Sequence, residues 1–146
     1  MSIAKGTFSN GISATAILIN HEPRNYCMGS REDKTSLIGL IEHAVVFGKN
    51  GKRRTLIARI DTGATKCSID VKIASQLELG PVIDTKLVRS SNGATLRPIV
   101  RAYIKIKNQE FKVAFTLADR KEMRYPLLIG QNLLKKSNFL IDPRRK

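Results

Sequence analysis

Leu56-Ile57-Ala58-Arg59-Ile60-Asp61-Thr62-Gly63-Ala64 is an extended apolar run that ends on a carboxylate and a glycine. Leu56 to Ile60 has the composition of a strand with one face in a core. Asp61-Thr62-Gly63 then reads as a tight turn, in which the Asp side chain accepts backbone hydrogen bonds and the glycine supplies an unusual φ. Taken alone, that triplet is an ordinary turn in many proteins. What lies downstream adds to it: Leu127-Leu128-Ile129-Gly130-Gln131-Asn132-Leu133-Leu134 is a second apolar strand, running into a glycine and then a helix.

Between and around these two segments the pattern is that of an all-β domain, with short aliphatic and β-branched runs separated by turn signals. A strand is predicted over Ile38–Phe47, and Gly48-Lys49-Asn50-Gly51 turns it back onto Arg54–Ile60, because Asn-Gly tolerates positive φ. Ile69, Ile73 and Leu77 at i, i+4 and i+8 predict a short amphipathic helix that ends before Gly80-Pro81. A second hairpin joins Thr85–Arg89 to Leu96–Lys107 through Ser90-Ser91-Asn92-Gly93. On its returning strand Val100, Ala102, Ile104 and Ile106 alternate with Arg101, Tyr103, Lys105 and Lys107, one face apolar and the other mostly basic. Phe111, Val113, Phe115 and Leu117 repeat the alternation; a helix around Asn132–Lys136 and a strand near Phe139–Ile141 follow Leu127–Ile129. Residues 1–36, rich in Ser, Asn, Gly and Thr, read as a flexible N-terminal extension to a domain over 37–146.

Composition narrows the function. The 146 residues carry 26 Lys and Arg against 12 Asp and Glu, a net charge of +14, of which residues 1–35 hold only +1. The domain is therefore the polycation, while 42% hydrophobic residues are too many for a disordered one. Such a field attracts nucleic acid, an acidic membrane surface or an acidic peptide. The eight aromatic residues are not interleaved with the basic ones as a base-stacking platform needs, and no RNA-recognition, zinc-finger or basic-zipper pattern is present. Ala16–Ile19, the longest apolar run near the N-terminus, is far short of the roughly 18–20 residues of a membrane helix and below the roughly 7–15 of a signal-peptide core. The expectation is a soluble cytoplasmic protein with no membrane partner. Cys27 and Cys67 suggest no disulfide framework, and with His21 and His43 they form no ligand spacing. No metal and no cofactor are expected.

The order of a D-T-G-A loop, a hairpin and an aliphatic-Gly-helix element resembles the retropepsins. More closely, Asp61-Thr62-Gly63-Ala64, Val88-Arg89-Ser90-Ser91-Asn92-Gly93, Arg97-Pro98-Ile99-Val100, Leu128-Ile129-Gly130 and Phe139-Leu140-Ile141-Asp142-Pro143 are similar to the family named ATP-dependent zinc proteases, associated with RimK-type ATP-grasp glutamate ligases. The resemblance spans residues 37–145. It implies a retropepsin-like closed β-barrel half-domain with one or two short helices, functional as a homodimer. Asp61 would be the catalytic carboxylate, Thr62, Gly63 and Ala64 its supporting loop, Arg89, Ser90, Ser91, Asn92 and Gly93 the flap, and Leu128, Ile129 and Gly130 a wall of the substrate cleft. This chain departs from the family name. It has no G-x-x-x-x-G-K-[ST] loop for ATP, and reads Cys67-Ser68-Ile69-Asp70 where relatives often carry a His.

Two neighbouring carboxylates cannot both ionise easily, so they share a proton and divide the work of base and acid. The chain holds one Asp-Thr-Gly, since Asp84-Thr85 is followed by Lys86, so a second copy must supply the other half. The expected function is a homodimeric aspartic peptidase acting on a peptide or acidic protein, with glutamylated tails implied by the ligase association. A glutamate ligase or a ribosomal protein is the expected partner. Arg89, Arg97 and Arg101 around the hairpin are candidates for meeting acidic side chains. Two other readings stay open: a catalytically silent module of the same fold that binds acidic peptides or a ligase, and a basic nucleic-acid-binding β-domain.

Overall fold

The computed structural model describes residues 35–91 and 93–145; most of the expected N-terminal extension, with Cys27 and His21, and the expected flap residue Asn92 lie outside the described residues. The strands are β1 (Ser36–Ile38), β2 (Ile41–Phe47), β3 (Arg53–Ile60), β4 (Cys67–Asp70), β5 (Val82–Ser90), β6 (Gly93–Ile106), β7 (Gln109–Ala118), β8 (Leu127–Ile129) and β9 (Phe139–Ile141). Helix α1 (Val71–Gln76) follows β4, and α2 (Gln131–Leu134) follows β8.

Where one strand is expected over Ile38–Phe47 there are two, and the cause is distant in sequence. Glu42 is buried; its Oε1 accepts the Gly39 N–H at 2.8 Å and its Oε2 pairs with Lys107 Nζ at 2.9 Å. A buried carboxylate needs such partners, and the chain turns at Gly39-Leu40 to supply one. β1 then departs to pair in parallel with β9, Ser36 opposite Phe139.

The Asn-Gly turn forms as expected: Asn50 and Gly51 have φ of 54° and 72°, and Gly48 and Lys52 close it at 2.8 Å. The predicted helix starts later than its spacing suggests. Ile69 lies in β4, and Asp70 caps α1 by accepting the N–H groups of Lys72 and Ile73, while Ile73 and Leu77 are buried as the spacing requires.

Six strands close in the order β2-β3-β8-β4-β7-β6, with β6 returning to β2 through Ala44–Phe47 opposite Ile106–Tyr103. The barrel is filled by inward residues of each strand, among them Val46, Leu56, Ile69, Ile104, Phe115 and Leu127. β6 is longer than the barrel needs. Its first half carries β5, from Val82 opposite Val100 to Ser90 opposite Gly93, so the pair leaves the barrel as a hairpin arm. No helix among the described residues is long and apolar enough to cross a membrane.

Candidate active site

Asp61 is the first residue past β3, and its N–H donates to Ile129 O at 2.9 Å, extending the parallel ladder of β3 with β8. The chain then doubles back. Asp61 Oδ1 accepts the N–H groups of Gly63 at 2.9 Å and Ala64 at 3.1 Å, whereas Oδ2 accepts no hydrogen bond from the described residues. Thr62 and Gly63 are exposed, Asp61 and Ala64 half-buried.

The loop is held from behind by the start of α2. A Cβ on Gly130 would lie 2.6 Å from the carbonyl of Lys66 and 2.8 Å from Ala64 O, so only glycine permits this approach. Gln131 donates its backbone N–H to Ala64 O and its Nε2 to Thr62 O, both at 2.8 Å. Asn132 accepts the Cys67 N–H and donates Nδ2 to Ala114 O, each at 2.9 Å. Gln131 and Asn132 go unnoticed in the sequence reading, although an amide pair directly after an aliphatic-Gly element is a visible signal.

A cleft of about 340 Å³ separates this loop from the hairpin arm. Ala64, Thr65 and Lys66 form its loop side, and Lys86, Arg89 and Arg97 its arm side. Lys86 Nζ reaches Thr65 Oγ1 at 3.4 Å. Of the expected cleft wall, Leu128 borders the cavity, but Ile129 is wholly in the core and Gly130 lies under the loop. Strand alternation explains Ile129, since neighbours on β8 face opposite ways, while Gly130 lies past the end of the strand. Of the residues expected to form a flap, Arg89 lines the cleft, Ser91 is exposed and Gly93 takes a φ of 107° at the turn. Arg101 does not join Arg89 and Arg97. It borders a different groove, with Phe47, Tyr103 and Lys112, where β6 has rejoined the barrel.

Cys67, in the Cys67-Ser68-Ile69-Asp70 stretch where the resembled family often carries a His, is buried with its Sγ 3.3 Å from the Gly130 N–H. Burial pushes its thiol up to about 11, leaving it protonated near neutrality. A protonated, enclosed thiol does not fit a zinc ligand, and among the described residues no three His, Cys, Asp or Glu are gathered to hold a metal ion.

Among solved structures the chain is similar to a Legionella pneumophila protein of unknown function (DUF785), at 23% identity and a TM-score of 0.56, over 76% of this chain and 95% of that one. It is also similar to EIAV protease in complex with the inhibitor HBY-793, at 18% identity and a TM-score of 0.53, over 66% and 85% of the two chains. Both likenesses speak for the barrel fold. No curated protein sequence matches the chain. The RimB-like profile, described as retropepsin-like aspartic endopeptidase RimB, matches residues 70–146, more than half of the chain, starting downstream of the Asp61 loop. Barrel and profile agree, and the chain belongs to the RimB-like family of retropepsin-like aspartic endopeptidases.

Proposed function

We propose that the protein is a homodimeric aspartic peptidase in which the Asp61 carboxylates of two copies share one water and one proton. The observation that carries this reading is the uneven anchoring of Asp61: Oδ1 is tied down by two loop N–H groups, and Oδ2 is left without a partner among the described residues. One carboxylate takes a proton from the water as its oxygen attacks the peptide carbonyl carbon, and the other gives its proton to the carbonyl oxygen. Collapse of the tetrahedral species then breaks the C–N bond as the amine takes up a proton.

The exposed Thr62-Gly63 tip supports a meeting of two loops, with Thr62 bonding across the two-fold axis and Gly63 and Ala64 allowing close approach. The arm from Arg89 to Gly93 acts as the flap. The proposed substrate is an acidic protein tail, such as a glutamylated one, because the resembled family is associated with glutamate ligases and the net charge of +14 attracts polyanions. A ligase or a ribosomal protein is the proposed partner, so the reading includes a cytoplasmic setting.

A silent binding module is the second reading, favoured by the cations along the cleft, which hold an acidic peptide without any chemistry. Hydrolysis of oligoglutamate-tailed and ordinary peptides by wild type and Asp61→Asn, with the oligomeric state recorded in the same buffer, separates the two. Cleavage by a wild-type dimer and none by the variant supports the peptidase. A confirmed dimer that cuts nothing from acidic to neutral pH turns the reading to the module.

A further inference from the structure

Among the described residues five cations, Lys66, Lys86, Arg89, Arg97 and Arg120, line the cleft, and no carboxylate does. Four of them are half-buried or exposed, but Arg120 is only 9% exposed. Its placement is over-determined: its backbone N–H donates to Asp70 Oδ2 at 2.8 Å, and its Nε to Tyr125 O at 2.9 Å. The two Nη groups make no hydrogen bond to any described residue. A guanidinium held by its Nε, with the rest of its donors unspent, is oriented toward some other acceptor.

Ser68 lines the same cleft, is 5% exposed, and its buried Oγ has no hydrogen-bond partner among the described residues. Its ladder neighbours Thr116 and Leu128 line the same cavity. Thr116 already spends its hydroxyl proton on Cys67 O at 3.2 Å. An unpaired buried hydroxyl is destabilising unless a ligand satisfies it. The electrostatics agree with this geometry: burial first and the Arg97 charge second hold the Arg120 guanidinium below the ordinary arginine value, while Asp70 and Asp61 pull it back. Arg97 and Asp61 are thus both within electrostatic reach of Arg120.

We infer that Arg120 and Ser68, with Arg97 beside them, form a subsite for one substrate carboxylate, so that the cleft selects a Glu or Asp side chain at a fixed position near the scissile bond. The planar fork of Arg120 matches a planar carboxylate, and the Ser68 hydroxyl donates to it from the cleft floor. This deepens the proposed function and rests on its substrate cleft, but it does not depend on Asp61 being catalytic.

The test uses the full chain carrying Asp61→Asn, which leaves peptides uncut, and measures binding of peptide pairs that differ by Glu against Gln at one position. Glu should be preferred by roughly tenfold or more at one position. Arg120→Gln should abolish that preference, Arg120→Lys should restore part of it, and Ser68→Ala should lower it several-fold. Removing an unpartnered hydroxyl costs the fold nothing, so Ser68→Ala decides the matter even where Arg120→Gln does not fold. A Glu preference unchanged in folded Ser68→Ala, or spread evenly over all positions and erased by salt, overturns the subsite. Cleavage by wild type without a Glu preference sinks the subsite and leaves the peptidase; a Glu preference without cleavage does the reverse.

Discussion

Gly130 makes the closest approach in the site, and what it approaches is backbone. A methyl group there would lie 2.6 Å from Lys66 and 2.8 Å from Ala64 O, and backbone can yield only by moving the loop that holds Asp61. Gly130→Ala should cost about 2 kcal/mol or more, read as a lower urea midpoint, and should lower activity with it. Cys67 supplies a pH signature. Its thiol is raised from 9.0 to about 11 by burial, so the protonated form favours the fold. That contribution is complete below pH 9, the unfolded value, and is lost as pH rises to about 11. The unfolding free energy of wild type, read from urea melts, should therefore fall across this window by about 3 kcal/mol more than that of Cys67→Ala.

Elements meet the site through Asp70, which caps α1 with one oxygen and holds the Arg120 backbone with the other. Asp70→Ala should cost about 2 kcal/mol and weaken discrimination between Glu and Gln peptides. Asp84→Ala is the control. Among the described residues its carboxylate accepts only the exposed Thr85 N–H, and its unfolding free energy should move by about 0.5 kcal/mol or less. This contrast also marks what sequence can tell. The Asn50-Gly51 turn, the alternation along β6 and β7, and the Asp61 loop are local patterns, and each is readable from adjacent residues. Ile69 fits a helical spacing and a strand equally well, and only the Asp70 cap decides between them. The break before β2 depends on Glu42 meeting Lys107, and the cleft floor joins Ser68, Thr116 and Leu128 from three strands. No local pattern carries such meetings.

Pairing of whole molecules has its own test. A single copy holds one Asp-Thr-Gly, so a large excess of Asp61→Asn chains should drive wild-type activity toward zero as mixed dimers form. Independent chains would keep activity proportional to the wild-type present. The net charge of +14 predicts that capture of acidic peptides slows as ionic strength rises, measured by stopped-flow at increasing salt. The anchoring of the Asp61 loop by Ile129, Gly130, Gln131 and Asn132 also bears on synthesis. A ribosome makes Asp61 long before it makes those anchors, so a growing chain carries the carboxylate without the frame that shapes it. Chains arrested before Leu127 should have the loop open to added protease, and chains released after Ile141 should have it protected. The unfinished polypeptide thus carries Asp61 without the loop geometry that the proposed chemistry requires.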